Sequence, residues 1–260
     1  MNTTFGRSLQ CEWMKTRHTP AVRIALVGAL LIPLIMTIAQ LRMPKTMSYN
    51  ANPAEYWIKL YIHSWEFMAV LLLPFGIILI TSMLVQIEFK NNTWKQTLIT
   101  PQSLTSIYFA KFVIISMLLL LFFVSFNLFI VLSGIIPGLL HSDIDVPAHW
   151  PPLLKITKDM AAMWLTCLPL LGLQYTLSLR FSNFIVPIAI GLACIIAGIF
   201  ALQWSQGYLI PFAYSSFHFM IMSGQEKFQF PYNIYWLSLI SFVVFAGVGY
   251  LSFLFRKYKG

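Results

Sequence analysis

The sequence predicts an all-α, polytopic membrane protein with six transmembrane helices, and three observations lead to this prediction. The chain has 260 residues, of which 58% are hydrophobic and only 10% are charged, whereas a soluble domain is about half apolar and a quarter charged. The apolar residues form six runs of roughly 20 residues, the length that crosses a hydrocarbon core about 30 Å thick. Seven of the eight tryptophans fall at predicted span ends, where aromatic rings occupy membrane interfaces. No polar stretch is long enough for a soluble domain, so residues 1–260 are predicted to form one transmembrane domain.

The segment before the first span, residues 1–20, is predicted to form an amphipathic helix on the membrane surface. Phe5, Leu9 and Trp13 share one face at helical spacing, and the basic residues lie mostly elsewhere. The first span follows at about residues 22–41. A cleaved secretory signal is the rival interpretation, but the long basic region and the full-length apolar run favour an uncleaved span.

The other five spans are predicted from apolar runs that polar or helix-breaking residues separate. Gly134 and Pro137 are expected to end the third of the six spans. Residues 205–233 are too apolar for a free loop and too interrupted to span twice, which indicates a re-entrant or interfacial hairpin. The predicted spans are about 67–87, 112–133, 160–179, 184–204 and 236–255, with loops at 42–66 and 141–158.

The distribution of basic residues predicts the orientation. With the N-terminus in the cytoplasm, 11 of the 17 lysines and arginines fall on the cytoplasmic side, as the positive-inside rule requires. Both termini are then cytoplasmic. Because the formal charge of +9 follows the topology in this way, it does not indicate a nucleic-acid partner.

A polar segment between the second and third spans, residues 88–111, lies on the same predicted side as the termini. Thr93 followed by Gln96 is a capping box, which starts a short helix that Pro101 ends. Ser103 can cap a second helix that continues into the membrane. The segment is either an ordinary interfacial helix or a docking element for a soluble partner, and its residues alone fit both.

The sequence carries no motif for catalysis. There is no phosphate-binding GxxxxGK[ST], no GxSxG and no HExxH, so no catalytic residue or cofactor is predicted in this chain. Charged residues fall at span ends rather than at mid-membrane, which disfavours an ion-coupled carrier. A metal site is not predicted either, because the His and Asp residues of the outer loop match no standard ligand spacing; they are His141, Asp143, Asp145 and His149.

The fifth predicted span carries small residues at every fourth position. A stripe of this kind lets another helix approach closely, either within the same chain or in a second subunit. The stripe consists of Ala189, Ala193, Ala197 and Ala201.

Two motifs resemble a known family. The N-terminal segment reads LxxEWxKxR, with Glu12, Trp13 and Lys15, and the segment after the second span reads ExxxNTWxQxLxTPxS, followed by a tyrosine and AK. Together with six spans, cytoplasmic ends and an insert before the last span, they resemble the membrane subunits of type-2 ATP-binding-cassette (ABC) exporters. Within that family, the branch of lantibiotic-immunity and bacitracin-resistance permeases is the most similar.

The resemblance implies a permease of the bacterial cytoplasmic membrane that moves an antimicrobial peptide or another amphipathic compound outward. Separate cytoplasmic ABC ATPase subunits would bind ATP and Mg, and a second permease copy or a paralogue would complete the assembly within the membrane lipid. Glu12 and Lys15 would lie near the junction with the ATPase. The segment between the second and third spans would be the coupling helix that the ATPase contacts, through Glu88, Asn92, Thr93, Trp94, Lys95, Gln96 and Pro101.

Two other classes of function stay open from the residues alone. A polytopic membrane enzyme acting on lipids would need clustered His, Asp or Glu at one interface, and the outer loop is the one candidate for such a cluster in the sequence. A membrane anchor or sensor that does not transport could use the same docking segment without moving a substrate.

Overall fold

The computed structural model describes residues 2–17, 19–42, 53–90, 102–140, 151–224 and 231–255, and the regular structure within these ranges is helical throughout. A π-helical turn, Met68–Leu72, joins the third and fourth α-helices, and two 3₁₀ turns, Gly207–Leu209 and Pro211–Ala213, precede the eighth. The α-helices are α1 (Asn2–Thr16), α2 (Pro20–Arg42), α3 (Pro53–Phe67), α4 (Leu73–Lys90), α5 (Leu104–Leu140), α6 (Leu153–Arg180), α7 (Ile185–Ala201), α8 (Tyr214–Met222) and α9 (Ile234–Leu254).

Five stretches of the described chain are long and apolar enough to cross a membrane. They are Pro20–Arg42, Tyr56–Phe89, Leu104–Leu140, Leu153–Arg180 and Ile234–Leu254. The prediction of an all-helical, multi-pass membrane fold is therefore confirmed. Helix α7 is equally apolar but has 17 residues, and its length of about 26 Å is slightly less than a core of about 30 Å. The fifth of the six predicted spans, at 184–204, stays a prediction.

The helix that contains the second predicted span begins earlier than that span. Residues 53–66, which were expected to belong to a loop, form helix α3, and α3 continues through the π-turn into α4. In the π-turn the N–H of Leu73 donates to the carbonyl of Met68, five residues back. Pro74 follows at once and has no N–H to donate, and a π-turn is a common way to fit such a residue into a continuous helix.

Helix α3 is rich in aromatic side chains, and their spacing is that of a helix. Trp57, Tyr61 and Trp65 recur every fourth residue and are all buried, while Lys59 and His63 between them are exposed. Read by their period, these residues are one face of a helix. The prediction of a loop at 42–66 rests on its polar and aromatic composition instead.

The prediction that Gly134 and Pro137 end the third span is wrong, because α5 continues through both residues to Leu140. Gly134 serves close packing instead: a Cβ at this position would lie 2.6 Å from Cζ3 of Trp57 on α3. The helix of the fourth predicted span also begins before that span, at Leu153, so the end of the expected loop 141–158 is helical.

Helices α5 and α6 form the centre of the bundle. Helix α2 packs along α5, α9 packs along α6, and α4 lies against α6 and α7. With 37 residues, α5 is about 55 Å long, so it extends well beyond a core of about 30 Å. Between α7 and α9, α8 is buried against α6 and the π-turn, with Phe217 and His218 inside. The re-entrant position of this insert in a membrane stays a prediction.

Candidate functional site

Helix α1 packs on the bundle through its polar face. Ser8, Glu12 and Thr16 recur every fourth residue and are buried against α5, whereas Phe5 and Trp13 are exposed. A surface helix normally buries its apolar face. The reversed arrangement leaves the apolar face of α1 available for headgroups or a partner, and it directs charged side chains into the protein.

Four charged side chains from three helices meet beneath α1. Lys111 Nζ of α5 lies 2.6 Å from Glu12 Oε2 and 3.2 Å from Glu88 Oε1 of α4. Lys15 Nζ lies 2.7 Å from Glu12 Oε1 and 2.8 Å from the same Glu88 oxygen. Each lysine therefore pairs with both glutamates, and the four residues close an ion-pair ring with no net charge.

The ion-pair ring is buried to an unusual degree for charged groups. Glu88 is 1% exposed, Lys111 4% and Glu12 6%. Charged side chains are almost never this buried unless they are paired, because taking an ion out of water costs several kcal/mol that only close partners offset. The ring is thus a junction in which each member requires the others.

Burial and ion pairing shift the pKa values of Glu12 and Lys15 on α1 in opposite directions. Burial raises the pKa of the Glu12 carboxyl, but the charges of Lys111 and Lys15 outweigh it, so this pKa lies below the ordinary value of 4.5. Burial lowers the pKa of the Lys15 ammonium, but Glu12 and Glu88 outweigh it and hold the pKa above 10.5. Both side chains are therefore charged at neutral pH.

The ion-pair ring lies close to the two points at which the polar segment between α4 and α5 joins the bundle. Glu88 is two residues from the end of α4, and Lys111 is about two turns into α5. On the α5 side, Ser8 donates to Oε1 of Gln102, with an oxygen–oxygen distance of 3.0 Å. Ser103 Oγ accepts from the N–H of Ser106 at 3.1 Å, which confirms Ser103 as the cap of α5.

From this junction, buried polar contacts lead to the neighbouring helices. The Tyr175 hydroxyl of α6 donates to the carbonyl of Tyr108 at 2.8 Å, and the Tyr108 hydroxyl donates to the carbonyl of Ala246 in α9 at 2.9 Å. Near the end of α4, Gln86 Nε2 donates to the carbonyl of Phe181 at 2.8 Å. The ends of α4 and α5 are thereby joined to α6 and α9 as well as to α1.

Comparison with known proteins decides the family. A family model described as "ABC-2 family transporter protein" matches residues 8–198, a range that starts within α1 and includes the whole ion-pair ring. The chain belongs to the ABC-2 transporter family. No curated protein and no solved structure gives a significant match.

Membership of the ABC-2 family confirms the coarser part of the resemblance. The chain is a multi-pass membrane protein of ABC transporters, and the family implies an ABC ATPase partner, usually in a dimeric assembly. The lantibiotic-immunity branch, the substrate and the position of the termini remain predictions.

The structure brings some of the predicted site residues of this ABC-2 chain together. Glu12, Lys15 and Glu88 meet in the ion-pair ring, and their role at a junction with an ATPase stays a prediction. Lys111, the lysine of the AK pair that ends the second motif, was not predicted as a site residue, and it pairs with both glutamates. The signal that could have identified it is a lysine within an otherwise apolar helix, which requires carboxylate partners.

The remaining predicted residues divide into two groups. In the alanine stripe, Ala189, Ala193 and Ala197 are exposed and only Ala201 is buried, so the stripe is largely unused for packing within the described chain. The predicted capping box and the His/Asp residues of the outer loop lie outside the described residues, together with most of the predicted coupling positions, which are Asn92, Thr93, Trp94, Lys95, Gln96 and Pro101.

Proposed function

We propose that this protein is the permease subunit of an ABC exporter whose ATPase docks on residues 91–101. The ion-pair ring is the observation that carries this proposal. A force from an ATPase reaches the membrane only if the docking segment is joined firmly to the spans, and the ring joins both ends of the segment to each other.

The ring makes α4, α5 and α1 respond as one unit. Moving Glu88 away from both Lys111 and Lys15 would break both of its ion pairs in a buried site, at a cost of about 3–5 kcal/mol. Displacement of residues 91–101 therefore moves α4 and α5 together, and α1 moves with them through Glu12. The Tyr108 and Gln86 contacts then pass the movement to α6 and α9.

A second permease, either an identical copy or a paralogue, completes the transport path in this proposal. The exposed alanines of α7 supply a surface on which another helix can approach closely. Helix α7 then forms the fifth of six spans and part of the subunit seam. Two ATPases bind ATP and Mg on the cytoplasmic side, and their closure drives both coupling segments.

The substrate in this proposal is an antimicrobial peptide or another amphipathic compound that leaves the cell or the membrane. The charge-poor spans support an amphipathic substrate over an inorganic ion, since carriers of ions keep charged residues near mid-membrane. Bacitracin and a purified lantibiotic are suitable probes in proteoliposomes that contain the permease and its ATPase. Stimulated ATP hydrolysis is expected for a transporter, whereas an anchor or sensor would show none.

The docking role is tested by co-purification with the ABC ATPases of the same genome. The double variant Trp94→Ala/Gln96→Ala is expected to lose the ATPase while the permease still assembles in the membrane. The matched control is Gln203→Ala/Trp204→Ala, which removes an exposed Gln–Trp pair at the far end of α7. Full ATPase binding by the Trp94/Gln96 variant would refute docking at this segment.

A further inference from the structure

An apolar groove opens between α2 and α4, apart from the ion-pair ring. Its volume is about 320 Å³, and Phe122 of α5 closes its inner side. The side chains on its walls come from the first three turns of α2, from the π-turn and from α4. Apart from one arginine, all of them are apolar.

The groove exists because small residues stand on both walls, where larger side chains would fill the space. Helix α2 packs on α5 through Ala21, Ala25 and Ala29, which are fully buried, and the groove lies beside this contact. Gly28 of α2 and Gly76 of α4 both line the opening. A Cβ added at Gly76 would have no heavy atom within 4 Å, so the space beside it is open.

One charge lies at the end of the groove. Arg23 is in the first turn of α2 and is exposed, and among the described residues no carboxylate pairs with it. From Arg23 to Leu31 the wall is about 12 Å long, so the groove extends from the membrane surface into the hydrocarbon region. Its form is a narrow apolar slot with a cation at the headgroup level.

We infer that the groove between α2 and α4 binds one acyl chain of an anionic phospholipid whose headgroup pairs with Arg23. An acyl chain has no hydrogen-bonding groups, and the apolar walls supply none. A peptide segment in the same place would leave backbone N–H and C=O groups without partners in the membrane, at several kcal/mol each. The positive charge of Arg23 favours a phosphate-bearing headgroup with net negative charge.

The side of the membrane is consistent with this lipid. Arg23 lies at the end of α2 that adjoins α1, hence on the side of the ion-pair ring, which the charge distribution assigns to the cytoplasm. The cytoplasmic leaflet is the one that carries anionic lipids and attracts basic residues. The inference uses this orientation but does not depend on ATPase docking or on the exported substrate.

The test uses the intact protein, purified in detergent and incubated with an equimolar mixture of two lipids that differ only in the headgroup. These are palmitoyl-oleoyl phosphatidylglycerol and palmitoyl-oleoyl phosphatidylcholine, and native mass spectrometry counts which one is retained. Wild type is expected to retain phosphatidylglycerol with about fivefold preference, as one arginine near the surface supplies. Arg23→Gln is expected to remove the preference, and Arg180→Gln, an exposed arginine outside the groove, is expected to keep it.

The groove itself is tested by filling it. Gly76→Leu places an apolar side chain in the open space and is expected to abolish lipid retention. Gly247→Leu adds the same side chain to an exposed glycine of α9, where a Cβ also meets nothing within 4 Å, and is expected to retain the lipid. Equal retention of the two lipids by wild type, or unchanged retention by Gly76→Leu, would overturn the inference. Full ATPase binding by the Trp94→Ala/Gln96→Ala variant would contradict the proposed docking and would have no bearing on lipid binding in the groove.

Discussion

The Nζ atom of Lys111 lies 2.6 Å from Oε2 of Glu12, although 99 residues separate the two in the chain. This contact joins a helix outside the predicted spans to the longest helix in the described part of the protein. Because Glu88 pairs with the same lysine, the contact also includes the helix on the other side of residues 91–101. Both connections of the proposed docking segment therefore meet at one buried ammonium group, and Lys15 pairs with the same two glutamates.

Replacing Lys111 with methionine is expected to destabilise the protein by about 3–5 kcal/mol, because Glu12 and Glu88 would remain buried with fewer partners. Thermal unfolding of the purified protein in detergent measures the loss. Lys158→Met, at an exposed lysine of α6, is the control and should leave the unfolding midpoint unchanged.

The double variant Lys111→Met/Glu12→Gln separates charge balance from packing. It removes one positive and one negative group and leaves Lys15 paired with Glu88. We expect it to be more stable than Lys111→Met alone, since a neutral replacement of a buried pair costs less than an unpaired charge. If the two substitutions simply added their costs, the ring would not be an electrostatic unit.

The depressed pKa of Glu12 predicts a dependence of stability on pH. The unfolded carboxyl titrates near its ordinary value of 4.5 and the folded one below it. The stability that the charged form contributes is therefore present above pH 4.5 and is lost as the pH falls from there through the folded pKa. The difference in unfolding midpoint between wild type and Glu12→Gln should be constant at neutral pH and shrink below about pH 4.5. A difference that stays constant down to pH 3 would contradict this assignment.

Much of the fold could be predicted from the sequence, because the length of an apolar run reflects the thickness of the membrane that it has to cross. The errors concern helix ends where local signals and packing disagree. Residues 53–66 look like an interfacial loop by composition, yet Trp57 and Trp65 are buried through contacts with α5. Gly134 looks like a helix end, yet it provides room for the Trp57 ring.

The candidate site could be predicted only in part, for a related reason. Glu12, Lys15 and Glu88 were proposed through resemblance, but no local pattern shows that residues 12, 88 and 111 meet. Their pairing is a property of the packed helices. The role of the polar face of α1 was not predicted either, because the spacing of Phe5 and Trp13 indicates only an apolar face that rests on the membrane surface.

Two glycines on α9 provide a test of helix packing. A Cβ at Gly249 would clash with Oγ1 of Thr176 and lie 2.9 Å from the Tyr108 hydroxyl, whereas one at Gly247 would meet nothing within 4 Å. Gly249→Ala is therefore expected to cost about 1–3 kcal/mol through overpacking, and Gly247→Ala to leave stability equal or slightly higher. Thermal unfolding of both variants checks this. Equal effects would mean that α9 is not held this closely to α5 and α6.

The orientation on which ATPase docking depends predicts the outcome of a labelling experiment. In a background without native cysteines (Cys11→Ser, Cys167→Ala, Cys194→Ala), Lys95→Cys is expected to resist a membrane-impermeant maleimide in intact cells and to react in inverted vesicles. Lys227→Cys, from the insert before α9, is the matched control and should show the opposite pattern. The reason is that the predicted topology puts 11 of the 17 basic residues on the side of residue 95, and basic residues are retained in the cytoplasm. Labelling of Lys95→Cys in intact cells would place the docking segment outside, beyond the reach of any cytoplasmic ATPase, and the proposed function would fail with it.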